Sequence, residues 1–512
     1  MASSLHPFPF LLILSCLIFD VSAAAVAGFN FKEATISEIQ AAYANNTLTS
    51  RQLVLHYLAR ITKLNPVLNA VLELNPNVLS DADYADRRRI RLDRSRFPLH
   101  GIPVLLKDNI ATLPPLNTTA GSFALFGSVV PREATVVSRL RSAGAIILGK
   151  ASMSEWAHFR SINAPQGWNS RNGQGRNSYA LSGGPCGSSS GSAIAVATGL
   201  VTVSLGTETD GSIICPGERN SVVAIKPTVG LTSRAGMIPI SRRQDTVGTF
   251  GQTVADAVAV LDAITGFDPL DAEATEAAAA FIPMGGYNKF LKEEGLKGKR
   301  VGILSQFFFK YTKESVEHYT FNAHFQTIKK LGAILVDGLE IANITTILNP
   351  NESGEAVALL AEFKLSLNVY LKSLVSSPVR SLSDVIAFNE NHSIEEKINE
   401  FGQAIFLAAQ NTSGIGEPEK AAIRRMARLS VDGLERLMNE KRLDAVVFPG
   451  VEASTVLAIG GYPGITVPAG YSADQVPFGI CFAGLRGSEP KLIEVAYAFE
   501  QATQVRRPPQ IT

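Results

Sequence analysis

Apolar and polar positions recur along this chain with two periods, and the periods sort it into elements. In "ATISEIQAAYANNTLTSRQLVLHYLARITKLNP" the apolar residues return at helical intervals. Two threonines there stand three residues ahead of a Glu or Gln, Thr35 before Glu38 and Thr49 before Gln52. A Thr hydroxyl that accepts from the third amide of a helix, while the side chain at that position returns to the Thr amide, satisfies two orphan donors at once. Two capped amphipathic helices are therefore predicted. Short unbroken apolar runs follow: "AVLEL" from Ala70, "IPVLL" from Ile102, "AIILG" from Ala145, "VTVSLGT" from Val201, "RVGIL" from Arg300 and "DAVVFPG" from Asp444. Runs of this length without polar alternation read as strands buried on both faces. Helical patterns lie between several of them, as in "TVADAVAVLDAIT" from Thr253 and "PEKAAIRRMARLSVDGLERLMNEK" from Pro418. Strands interleaved with helices predict an α/β fold: a mixed, mostly buried sheet covered by helices on both faces. The stretch from Gly266 to Lys299, rich in Ala, Glu, Gly and Pro, reads as a surface excursion between two halves of that sheet. No long polar linker and no internal repeat divides the chain, so residues 28–512 are expected to form one large domain.

Composition narrows the function classes. Apolar residues make up 46% of the 512 positions and charged residues 18%, enough for a sizeable core and too apolar for disorder. Lys plus Arg number 47 against 46 Asp plus Glu, a balance that offers no broad attraction to nucleic acid or to an anionic membrane. The seven histidines are scattered and join no cysteine cluster, so neither a metal nor another cofactor is expected.

The first residues, "MASSLHPFPFLLILSCLIFDVSAAAVAG", place an apolar block from Phe10 to Phe19 before small residues. This is the pattern of a secretory signal peptide over residues 1–27, cleaved after Ala23 or Ala27. The block is too short to remain as a membrane anchor. The mature chain is then expected in the secretory pathway, extracellular or vacuolar, as a monomer or homodimer without stable membrane insertion. Six N-x-Ser/Thr sequons, at Asn45, Asn117, Asn343, Asn351, Asn391 and Asn411, exceed the roughly three expected by chance and agree with a secreted glycoprotein. Of the four cysteines, Cys16 leaves with the signal. Cys186, Cys215 and Cys481 are too few for a disulfide framework, so the protein is expected to fold on its core alone, with Cys186 and Cys215 as small buried hydrophobes.

One stretch resists the pattern. "GPCGSSSGSAIAVATG", from Gly184 to Gly199, has the Gly/Ser content of a flexible connector, yet it leads straight into an apolar run that demands burial. A second Gly-Ser turn, Gly211-Ser212, follows in "GTETDGSIICPG". Composition leaves the linker and the tight-turn readings both open.

These residues resemble the Gly/Ser-rich region of the amidase signature family, and within it the peptide-amidase-like branch that includes many plant amidases. The likeness extends to "GIPVLLKDNI" before the stretch and to "GYPGITVPAGY" and "PFGICFAGLRGSEPKLIEVAYAFEQAT" near the C-terminus, so it covers most of the mature chain. It implies the amidase signature fold and a serine amidohydrolase that releases ammonia from a small-molecule or peptide amide through an acyl-enzyme. It also implies a Ser-Ser-Lys triad of Ser212 as nucleophile, Ser188 as proton relay and Lys107 as terminal base, together with a cis peptide bond between Gly187 and Ser188. The same resemblance assigns the oxyanion to the backbone N–H groups of Thr209, Asp210, Gly211 and Ser212. Much of the family carries Gly where Asp210 stands, and its carboxylate either meets substrate or caps the turn. The chain also ends "DTVGT" at Thr249 where "DTVGP" is more usual, and its segment between "DAVVFPG" and "GGYPGITVP" is short.

The triad chemistry has a physical basis of its own. A serine hydroxyl needs a neighbouring base, and a lysine serves as that base only when neutral. Burial disfavours the ammonium, and Lys107 follows the apolar "IPVLL", which carries it toward the sheet interior. The competing reading makes Lys107 and Asp108 a solvated ion pair at a strand end. In "SEWAHFRS", Trp156, Phe159 and Arg160 either line a pocket or supply core packing and a surface ion pair. Other functions compatible with the family are an N-acyl-amine (lipid amide) hydrolase, a transamidase subunit acting on aminoacyl-tRNA, and a non-catalytic receptor-like member. The signal and the neutral charge disfavour the transamidase. The intact triad and the absence of a helical-repeat region disfavour the receptor.

Overall fold

Residues 29–89 and 97–511 are described by a computed structural model. The expected signal at residues 1–27 lies outside them. Both capping boxes form as the sequence predicts. Helix α1 (Ile36–Ala44) is capped by Thr35 with Glu38, and α2 (Ser50–Leu68) by Thr49 with Gln52. The buried face of α1 is Ile36, Ile39, Ala42 and Tyr43, the three-to-four spacing that its sequence carries.

Eleven strands form one mixed sheet. In chain order they are β1 (Val71–Leu74), β2 (Pro103–Lys107), β3 (Ile146–Ala151), β4 (Val203–Glu208), β5 (Val223–Lys226), β6 (Thr246–Gly251), β7 (Arg300–Ile303), β8 (Ile334–Val336), β9 (Ala445–Pro449), β10 (Gly464–Tyr471) and β11 (Pro477–Ala483). Their spatial order is β1-β3-β2-β4-β6-β5-β10-β11-β9-β7-β8. Strands β3, β2 and β4 are parallel, as are β9, β7 and β8, while the centre of the sheet is antiparallel. The first six strands form one half and the last five the other, joined where Ile225 of β5 faces Ile465 of β10. The stretch 266–299 bridges the halves as expected. It is pinned rather than loose, because the Asp262 carboxylate accepts from the amides of Tyr287 and Asn288, and Tyr287 is fully buried.

The sheet is buried on both faces, and a single strand shows it. Along β9, Ala445 and Val447 enter one apolar cluster and Val446 and Phe448 another; β11 divides in the same way, with Ile480 and Phe482 opposite Cys481 and Ala483. Side chains alternate across a strand, so continuous apolar sequence is what two-sided burial requires. All six strands predicted from such runs are present. The helix predicted from Pro418 runs from Glu417 to Ser430, passes through a π-turn at Val431–Glu435 and resumes to Lys441.

Two helices matter for the site. Helix α3 (Ser190–Ala197) is buried along its whole length, and α4 (Ile214–Arg219) starts directly after the turn that follows β4. The Gly/Ser stretch is thus the N-terminal approach to a core helix. The departure at Thr249 is also absorbed by the core, its hydroxyl donating to the carbonyl of Ala257 at 2.9 Å.

Candidate active site

Lys107 is the last residue of β2, and the strand beneath it is buried throughout. Its ammonium nitrogen lies 2.7 Å from Ser188 Oγ and donates to the Thr207 carbonyl of β4 at 2.9 Å. Burial pulls the Lys107 pKa from 10.5 down to about 7, against the opposing pull of Glu208 and Asp245. The solvated ion-pair reading is therefore wrong. Asp108 turns away, fully buried, and accepts from the amide of Gly121 at 3.0 Å and from the Thr119 hydroxyl.

Ser188 follows a cis peptide bond at Gly187, as the family resemblance implies. Space explains the glycine, since a Cβ at 187 would meet Ser154 Oγ at 2.2 Å. Ser154 grips this turn from both sides, its amide donating to the Ser188 carbonyl at 3.0 Å and its hydroxyl accepting from the Gly167 amide at 2.8 Å. Ser189 fixes the next step, exchanging hydrogen bonds with the backbone of Thr207, and Ser190 opens α3. The linker-like string is a close-packed turn.

Ser212 sits in the turn between β4 and α4, half-buried, with no hydrogen bond to its hydroxyl among the described residues. The amide of Ser189 donates to the Ser212 carbonyl at 3.2 Å, which brings the two serine segments side by side. Among the described residues, the N–H groups of Thr209, Asp210, Gly211 and Ser212 find no acceptor. These four successive amides, next to an unengaged hydroxyl, are free to meet negative charge. Gly211 has φ +78°, and a Cβ there would stand 2.9 Å from Ser454 Oγ.

The cap of this turn is not Asp210. Glu208 accepts from the amides of Ile213 and Ile214 at 2.6 and 3.0 Å, and Asp245 accepts from the Thr209 hydroxyl at 2.6 Å. Asp210 instead receives Thr455 Oγ1 at 2.9 Å and borders the cleft; burial, then the nearby Glu355, pushes its pKa well up. The cleft has a volume of about 300 Å³. Cys186, Gly187, Asp210, Gly211 and Cys215 form its inner wall. Its outer wall comes from Gln166, Leu348, Val451, Glu452, Ser454 and Thr455, four of them in the short segment that the sequence marks as departing from its relatives.

Two expectations need correction. Cys186 and Cys215 are not separate thiols but a disulfide with Cα atoms 5.9 Å apart; among the described residues Cys481 alone is free, and it is buried. Cysteine count and spacing carry no information about the return of β4 and α4 to the turn that they left 29 residues earlier. Trp156 and Arg160 do not line this cleft and form no surface pair. Both are buried, and Arg160 bridges Glu155 and Glu396, while Phe159 packs on Phe363. Glu396, more than two hundred residues away, gives no local signal of this. Ser154, Glu208 and Asp245 were likewise missed, because their roles depend on backbone groups that the fold brings to them.

A buried amine on the hydroxyl of one serine, with a second serine in the adjoining turn among amides that lack an acceptor, points to the class: a serine hydrolase. The model of the Amidase family matches residues 52–458. A probable amidase of Arabidopsis thaliana is 57% identical over 98% of this chain and 97% of its own. A putative amidase of Schizosaccharomyces pombe is 37% identical over 94% and 87%. Among solved structures, the native peptide amidase of Stenotrophomonas maltophilia superposes with a TM-score of 0.86 at 42% identity, over 94% of this chain and 99% of that one. The chain belongs to the amidase family, and it is an amide-hydrolysing enzyme.

Proposed function

We propose that the protein hydrolyses carboxamides, R–CO–NH₂ to R–COOH and ammonia, with Ser212 as nucleophile, Ser188 as relay and Lys107 as base. The single observation that carries this reading is the dry Lys107 nitrogen 2.7 Å from Ser188 Oγ. In the neutral amine one N–H stays on the Thr207 carbonyl while the lone pair takes the Ser188 proton. Ser188 in turn takes the proton of Ser212, whose oxygen bonds to the amide carbon. The carbonyl oxygen gains the negative charge and is met by the free amides of residues 209–212, each such donor contributing about 2.7–4 kcal/mol. The proton returns through Ser188 to the amide nitrogen, the C–N bond breaks, and ammonia leaves. Water, deprotonated along the same route, then releases the acid from Ser212. Likeness to a peptide amidase supports C-terminal peptide amides as substrates, beside small amides and amino-acid amides. A fluorophosphonate probe is expected to label the wild-type protein and not Ser212→Ala, and the wild type to release ammonia from a panel of amides. Absence of both label and ammonia defeats the assignment.

We further propose that the protein resides in the secretory pathway. The paired cysteines favour an oxidising compartment. Sequon exposure agrees, since Asn45, Asn343, Asn351, Asn391 and Asn411 are all exposed. Asn117 differs, its side chain donating to Glu73 and accepting from the Gly127 amide. Glycopeptide mapping of secreted protein is expected to find Asn117 bare; a glycan there, or none on any sequon, contradicts the reading.

A further inference from the structure

Two sulfur atoms that no step of acyl transfer uses border the cleft. Cys186 precedes Ser188 by two residues and Cys215 follows Ser212 by three, so their bond joins the relay segment to the nucleophile segment. The other ties between these segments are hydrogen bonds, among them those that Ser189 exchanges with Thr207. The Ser189 amide meets the Ser212 carbonyl at 3.2 Å, and Asn220 Nδ2 donates to the Pro185 carbonyl at 2.9 Å. From Tyr179 to Ser189 the relay segment belongs to no helix or strand, and Cys186 itself has φ +57°. Hydrogen bonds from Ser154, Ser189 and Lys107 also hold this segment, and the disulfide is its one covalent tie to the nucleophile segment.

We propose that the Cys186–Cys215 disulfide is a positioning element of the acyl-transfer site, and that a small dithiol entering the cleft lowers turnover reversibly by reducing it. The inference rests on the roles proposed for Ser188 and Ser212. Both cysteines line the cleft, which gives the reductant its path. A thiolate of the dithiol attacks one sulfur and displaces the other as a thiolate. The second thiol of the reagent then closes its own disulfide, leaving Cys186 and Cys215 as thiols with two protons and two electrons gained. Once freed, the relay turn is held to the nucleophile turn by hydrogen bonds alone. Proton transfer demands hydroxyls within hydrogen-bond reach, so kcat falls while the outer wall of the cleft, and with it KM, is unchanged.

The test uses oxidised full-length enzyme and dithiothreitol, with ammonia release, thiol titration and near-ultraviolet circular dichroism read together. Two thiols are expected to appear per chain with the dichroism retained, kcat to fall tenfold or more, and KM to stay within twofold. Oxidised glutathione is expected to restore activity. Cys186→Ala/Cys215→Ala is expected to start with the lowered kcat and to ignore the reductant. Unchanged kcat with both thiols titrated, or loss of activity only in step with loss of the dichroism, overturns the proposal. An active enzyme labelled at Ser212 yet indifferent to reduction overturns this inference alone. An oxidised enzyme with neither ammonia release nor label overturns the parent reading, and this one with it.

Discussion

The adjacent strands β2 and β3 both end near a fully buried lysine, and only one of the two meets a serine hydroxyl. Lys107 closes β2, and Lys150 stands one residue before the end of β3. Burial lowers both, Lys107 to about 7 and Lys150 to about 8. Lys150 donates to the Ile110 carbonyl at 2.7 Å and to Thr118 Oγ1 at 3.0 Å, with Asp108 and Glu73 nearby to favour its charge. It is a brace for the segment after β2. Lys107 meets a serine hydroxyl on a turn that borders the cleft. Lys226 at the end of β5 repeats the brace, donating to the Tyr462 carbonyl at 2.7 Å with its pKa at about 8. Burial therefore makes a lysine available as a base, and the identity of its neighbour decides whether it is used.

That contrast can be broken most sharply at Lys107. Lys107→Met keeps most of the side-chain length and removes the proposed base, so kcat is expected to fall about 10²–10⁴-fold while urea unfolding shows no comparable loss of stability. Near-wild-type turnover in this variant ends the assignment.

Next in size is the response to pH. Lys107 accepts a proton only when neutral, so kcat/KM is expected to lose about tenfold per pH unit below an apparent pKa near 7. The stability effect has the opposite reach. The folded-state pKa lies below its ordinary 10.5, the unfolded chain binds more protons between about 7 and 10.5, and the Lys107 contribution to stability rises with pH across that window. Lys107→Met is expected to flatten both dependences, measured by pH–rate profiles and by unfolding at several pH values.

Smaller effects are expected at the braces. Lys150→Met leaves the Ile110 carbonyl and the Thr118 hydroxyl without their donor, a loss of about 1–3 kcal/mol in urea unfolding with kcat within a few-fold of wild type. Lys226→Met, which removes the donor to the Tyr462 carbonyl and the longer contact with the Pro227 carbonyl, is expected to cost about 1 kcal/mol. A brace variant that loses turnover like Lys107→Met erases the distinction between the two kinds of lysine.

Legibility in the sequence follows the range of the forces involved. The capping boxes at Thr35 and Thr49 were readable because their partners lie three residues away, and the six apolar runs because two-sided burial leaves no room for polar alternation. Strands β6, β10 and β11 were less so, as glycines, prolines and threonines break their apolar runs, and β5 and β8 were too short, at four and three residues, to stand out. Lys107, Ser188 and Ser212 were placed by resemblance. Chain-local reasoning alone left Lys107 between a base and an ion pair, a choice that depended on how deep β2 lies.

By itself, the sequence determined the α/β class, the buried strands, the capped helices and the residue types able to perform acyl transfer, since each rests on local periodicity or on side-chain chemistry. Tertiary structure alone decided that Cys186 bonds Cys215, that Glu396 reaches Arg160, that Glu208 caps the nucleophile turn and that residues 451–455 wall the cleft. Those contacts join segments whose proximity comes from chain crossings, and a crossing leaves no mark on the residues either side of it until the sheet has closed.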